Sequence, residues 1–414
     1  LMLNETLQVR VKPNPKIPEL SPQQKALIKG YKTKYGIDLN KWLGVLSCHT
    51  TVQSPADGYL QPFAAAFTKE YDGKTVITLS EQATEDMPVL KMTDKKTSDA
   101  LYVIKSFAIL SVIAAHMGFV TPENVGSFST AESIRLALGQ TGVPIFFIVS
   151  GFFYKRRKGD AKEFWTKKAK TLIVPWLLFG VLTFTVSMVT TGKYVNVPFE
   201  LVKWVLGIGT WFWYMPVQIV LFAVFKFIKK DVGLYISMAV SIVSVVLTVL
   251  GRIPSEIINQ YLNVFNWLGF FALGILISRH QSMTRLVNMP IFIISFLVFA
   301  LSAALTVYFK DGEVTYANRF CLLVELSGFL FCLNLSYALS GFGLLKDIGK
   351  KSFFIYLAHM QIAGVINTRL PYNTIFFILR PVIALAVVYI GAKIAELMLK
   401  KLKLSKLNFL IGLK

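Results

Sequence analysis

From residue 100 onward the chain alternates between long apolar runs and short polar, mostly basic stretches. Ten such runs, each of about 17–25 residues, predict helices near 100–120, 135–154, 171–191, 209–228, 233–251, 261–278, 290–309, 319–340, 352–368 and 375–398. The second is the least regular, because Arg135, Gly139 and Pro144 interrupt it. At 1.5 Å per residue, runs of this length can cross a hydrocarbon layer about 30 Å thick. The residues before 98 follow a different pattern. "LQVRVKP" alternates like a short strand and stops at proline, and "KTVITLSE" reads as a second strand. Between them, "SPQQKALIKGYKTKYG" has Ser21 as an N-cap, Pro22 at the first helical position and Gly36 as a stop. The pattern predicts an all-α polytopic membrane protein of about ten transmembrane helices over 96–414. A small mixed α/β or poorly ordered soluble segment, 1–95, precedes it. "MTDKKTSDALYVIK" resembles an ordinary start, so Met92 is a candidate initiator and 1–91 a candidate appended module.

Composition supports the membrane assignment. Of 414 residues 54% are hydrophobic and 16% charged, against about 25% charged in soluble domains. A net charge of +21 could suggest nucleic acid, but the cations sit between apolar runs instead of forming one soluble basic face, which excludes that class. They also set an orientation. Eight basic residues lie between Lys155 and Lys170, and later clusters at Lys229–Lys230, Arg279 with Arg285, Lys346 with Lys350 and Lys351, and "KKLKLSK" fall on the same side. The opposite loops hold one or two each, such as Lys193, Lys203, Lys310 and Arg369. Both termini are therefore expected in the cytoplasm. Walker loops, GxSxG and CxxC pairs are absent from the sequence. The Cys48–His49 pair lacks further ligands, so no metal site is expected.

Ionisable groups inside apolar helices are costly and face a cavity or a partner. Lys105 and His116 are eleven residues apart in the first run, close to three turns, which places both on one face about 16 Å apart. Lys105 either snorkels to the inner interface or serves a site; His116 lies in the outer half and either bonds a neighbouring helix or serves the same site. Glu325 calls for a basic partner, with Arg380, Arg319 and His116 at similar depth. His359 lies near mid-membrane. Ser150 and Gly151, which close "FFIVSG", suit a close helix approach. Trp213 and Tyr214 are either interfacial aromatics or a platform for a sugar ring.

The phrases "IKSFAILSVIAAHMG", "GVPIFFIVSGFFY", "KRRKGDAKEFWTKKAKTLIVPW", "WFWYMPV" and "IGKKSFFIYLAHMQI", in this order, resemble acyltransferase family 3 over about residues 96–410. The resemblance implies a ten-helix integral membrane enzyme. It would move an acyl group, usually acetyl, from cytoplasmic acyl-CoA to a hydroxyl of a cell-surface carbohydrate or its lipid-linked precursor. The implied setting is a bacterial plasma membrane, with acetyl-CoA as donor substrate. The family has Arg, ten residues, then His in its first helix; here the Arg is Lys105, which keeps the charge but loses the planar fork.

On that resemblance, His116 is the expected general base. Lys105 would meet the donor, and Glu325 would orient the imidazole. Arg156, Arg157, Lys167, Lys168 and Lys170 are the expected dock for the donor phosphates. Trp213, Tyr214, Tyr356, His359 and Arg380 are candidate substrate contacts. The rival expectation is a transporter or exporter with the same fold, carrying an envelope precursor or a small solute.

Overall fold

The computed structural model describes residues 8–9, 78–79, 95–117, 137–154, 161–192, 195–253, 259–280, 282–309, 318–371 and 374–413. The chain divides into two units, Leu1–Asp94 and Lys95–Lys414. In the first, Gln8–Val9 pairs in parallel with Thr78–Leu79, and both pairs fall inside the stretches expected to be strands. Met92, the Cys48–His49 pair and the Ser21–Gly36 helix lie outside the described residues.

The second unit is helical. Its elements are α1 (Lys95–Ala115), α2 (Gly142–Phe152), α3 (Ala161–Lys168), α4 (Val174–Thr191), α5 (Val197–Val205), α6 (Tyr214–Phe225) and α7 (Asp231–Val249). They are followed by α8 (Val264–Arg279), α9 (Met289–Tyr308), α10 (Cys321–Ala338), α11 (Gly343–Arg369) and α12 (Thr374–Lys401). Each of the ten apolar runs coincides with a helix. Six segments among the described residues are long and apolar enough to cross a membrane: Lys95–Ala115, Lys162–Thr191, Asp231–Val249, Met289–Tyr308, Cys321–Ala338 and Ile378–Lys401. Ala137–Phe152, Trp211–Phe225 and Val264–Arg279 are shorter apolar helices. On α9, Ile293, Ile294, Leu297 and Leu301 all point outward, as expected of a face turned to lipid instead of water.

Two local features were not predicted. Helix α5 is nine residues, started by Asn196, whose side chain accepts from Phe199 N. Two indoles bind it to α4: Trp176 Nε1 donates to Val205 O at 3.1 Å, and Trp204 Nε1 donates to Thr183 Oγ1 at 3.0 Å. The second is a π-turn, Ala169–Ile173, joining α3 to α4 into one long helix. Val174 N bonds back to Ala169 O. Pro175 follows, has no N–H to give, and its ring would crowd the preceding turn. Widening that turn keeps the helix continuous across the proline.

Helix α1 is central and packs against α2, α10, α11 and α12. It runs parallel to α11, held at one end by Lys346 Nζ on Asp99 Oδ2 at 3.0 Å. Close approach is a matter of side-chain size. A Cβ on Gly349 of α11 would overlap the Tyr102 carbonyl of α1. Gly151 of α2 meets the Phe271 carbonyl of α8, and Gly274 of α8 meets the Ile148 carbonyl of α2. The expectation of close helix approach is met at Gly151.

Candidate functional site

The parallel pairing of α1 and α11 brings two histidines together. The His116 and His359 ring centroids are 5.3 Å apart. His359 is 0% exposed, while His116 is half-buried. His359 Nδ1 lies 2.6 Å from Tyr356 O. A carbonyl only accepts, so Nδ1 carries the hydrogen and the neutral ring keeps its lone pair on Nε2. That Nε2 is buried and has no hydrogen-bond partner among the described residues. A buried acceptor left unmet costs about 1–3 kcal/mol, which argues for a use beyond packing.

The histidines continue into a row of aromatic rings. Tyr356 lies 6.0 Å from His359, and Tyr214 lies 5.5 Å from Tyr356. Tyr356 is fixed by donating its hydroxyl to Trp211 O at 2.7 Å. Tyr214 donates to Gln218 Oε1 at 2.9 Å. Tyr214 and Tyr356 form the inner wall of a cavity of about 640 Å³, within the range that holds small-molecule ligands and cofactors. At its other end stand Lys105, Lys167, Lys168 and Lys350, with Glu163 as the acidic member of the lining. Lys168 Nζ sits 3.8 Å over the Phe222 ring, and Lys105 Nζ sits 4.7 Å over Tyr102. Thr171 and Leu172 of the π-turn also line the cavity, so the unusual turn is part of this wall. Among the described residues no group of three or more metal-ligating side chains gathers.

The expected residues separate clearly. Lys105, Lys167, Lys168, Tyr214 and Tyr356 line the cavity, and His116 and His359 lie behind Tyr356. Lys170 is exposed and is not part of the lining. Arg156 and Arg157 lie outside the described residues. Trp213 is not an open platform: it is buried, with its ring 5.2 Å from Trp267 and 5.3 Å from Tyr261. Arg380 is fully buried and binds the end of α11. Its guanidinium donates to Leu370 O at 2.7 Å, Pro371 O at 3.3 Å and Asn367 Oδ1 at 3.4 Å. This suits a cation at a helix C-terminus, where carbonyls lack partners.

Glu325 is buried on α10. The ion pairs among the described residues do not include it. Arg380 serves the end of α11 instead, and Arg319 lies over the Phe309 ring at 5.6 Å. The basic partner expected for Glu325 is therefore not among these pairs.

Lys350 and Gln218 also line the cavity, although the sequence pattern marked neither as a site residue. Lys350 looked like one more loop cation, and Gln218 was passed over inside an apolar run. A polar side chain in a membrane helix is itself a signal, and it would have flagged Gln218.

Below the cavity, Asp347 of α11 ties Lys351 and Lys393, each at 2.8 Å, and accepts from Tyr389 Oη at 2.6 Å. Burial works against its charge, but the hydrogen bonds from Lys351, Lys393 and Tyr389 prevail and hold its carboxyl well below the usual carboxylate range.

A family model described as an acyltransferase domain matches residues 99–395, and a model described as a domain of unknown function matches residues 18–114. Comparison with curated proteins and with solved structures finds no match.

Proposed function

Because the chain belongs to acyltransferase family 3, a membrane acyltransferase family, we propose that it transfers an acyl group, by preference acetyl, from cytoplasmic acyl-CoA to a hydroxyl. The acceptor is a cell-surface carbohydrate or its lipid-linked precursor, and the setting is a bacterial plasma membrane crossed ten times with both termini inside. The observation that carries this reading is the cavity itself. Its basic end, with Lys105, Lys167, Lys168 and Lys350, suits a polyanionic donor, and its aromatic end backs onto the His116–His359 pair.

The chemistry follows from those groups. His116, the less enclosed histidine, takes the proton from the acceptor hydroxyl as its oxygen attacks the thioester carbonyl carbon. The new C–O bond forms, the C–S bond breaks, and the imidazolium returns its proton to the departing CoA thiolate. His359 holds the neighbouring position through the Nδ1–H bond to Tyr356 O. Lys105 keeps the charge that the family's Arg supplies but holds a phosphate as a point charge, without the bidentate grip.

The test uses purified protein in proteoliposomes with radiolabelled acetyl-CoA and an extracted envelope-glycan fraction. Ester-linked, alkali-labile label on the glycan supports the reading. Absence of both CoA binding and transfer overturns it and turns attention to solute transport.

A further inference from the structure

The cavity holds a polar group that the transfer chemistry leaves unused. Gln218 is 2% exposed and lines the cavity, and its amide nitrogen, Nε2, is buried with no hydrogen-bond partner among the described residues. Its orientation is fixed by a neighbour. Tyr214 Oη donates to Gln218 Oε1 at 2.9 Å. The amide thus gives its oxygen to Tyr214 and leaves its N–H₂ without a partner in the cavity wall. A buried donor of this kind needs an acceptor atom, and among the described residues it has none.

Its depth identifies the acceptor. Tyr214, Gln218 and Phe222 form one stripe of α6 at intervals of four residues, and all three line the cavity. Each step is about 6 Å along the axis. Phe222 carries the Lys168 ammonium at 3.8 Å and marks the cationic end. Tyr214 touches Tyr356 and marks the end that backs onto the histidines. Gln218 stands between. A donor with its phosphates among the lysines and its thioester near His116 must pass Gln218 with its linking arm, and that arm carries amide carbonyls. We propose that Gln218 Nε2 donates to an amide carbonyl of the pantetheine arm, setting how deep the donor reaches. Gln218 is thus a binding residue for the arm and does not touch the reacting carbon. This rests on the acyl-CoA reading above.

The experiment measures affinity in nanodiscs for two probes, free CoA and 3′-phospho-ADP, the nucleotide half that lacks the arm. The variants are Gln218→Met, similar in length without the donor, and Gln218→Glu, which keeps the size and acceptor oxygen but loses the N–H₂. Both should weaken CoA about tenfold, the scale of one hydrogen bond whose partner is left unmet. Neither should change the affinity for 3′-phospho-ADP. Unchanged CoA affinity overturns the proposal, and so does an equal loss for both probes, which would report a disturbed fold. If the wild type binds neither probe, the donor reading itself fails, and this inference with it.

Discussion

Gly349→Ala tests whether the spacing of α1 and α11 governs the chemistry. The residue lies ten positions before His359 and touches neither histidine, yet it sets how closely the two helices approach. A Cβ there would fall far inside the 3.0 Å limit from the Tyr102 carbonyl oxygen. That obstacle is backbone, so no side-chain rotation relieves it and one helix must retreat by about 1 Å. The Lys346–Asp99 pair at 3.0 Å lies one turn away on the same two helices and is strained by the same shift. At the far end, the two imidazoles at 5.3 Å belong one to each helix, so their relation changes with the helix separation. A misplacement of about 1 Å at reacting groups can cost about 100-fold in rate. The expected result is a kcat for acyl transfer about 100-fold lower, in protein that inserts and elutes as the wild type does. A kcat equal to wild type in correctly inserted Gly349→Ala would refute the claim that this helix pair sets the catalytic geometry.

Other outcomes follow from single interactions. Lys350→Gln and Lys105→Gln should raise the KM for acetyl-CoA and flatten its dependence on ionic strength while leaving kcat less affected; unchanged KM in both would remove the phosphates from that end of the cavity. Arg380→Met leaves the Leu370 and Pro371 carbonyls without their donor and should cost about 1–3 kcal/mol, seen as a lower melting temperature with donor KM unchanged. A rise in KM without loss of stability would instead put Arg380 in the site. Asp347 has a depressed folded pKa, so its contribution is present above the ordinary carboxylate range near pH 4 and is lost as pH falls through the depressed value. Asp347→Asn should therefore melt lower than wild type at pH 7, and the difference should shrink on acidification. A difference that grows in acid would contradict the sign.

Much of the fold was legible because apolar runs of membrane length have few alternatives. Each run became a helix, and the close approach at Gly151 followed from small residues in "FFIVSG". What was missed needed information from outside the local pattern. Trp213 has the signature of an interfacial aromatic, but Trp267 and Tyr261 close over it from a distant part of the chain. Arg380 and Glu325 sit at similar depth in the sequence reading. Which neighbours a buried charge meets depends on helix rotation, however, and the end of α11 holds the arginine. The run over 171–191 was expected to be one helix through Pro175, but the sequence pattern did not foretell the π-turn that carries the helix past the proline and places Thr171 and Leu172 in the cavity lining. The histidine pair was half legible. Both residues stood out as polar groups in apolar helices, but only the parallel offset of α1 and α11 brings the rings to 5.3 Å.

The most direct test of the account is acyl transfer by His116→Ala, measured beside CoA binding by the same preparation. The account predicts that label transfer from acetyl-CoA to the glycan is lost while CoA affinity stays at the wild-type value, since His116 serves the acceptor proton and the lysines hold the donor. Transfer at the wild-type rate by correctly inserted His116→Ala would contradict it.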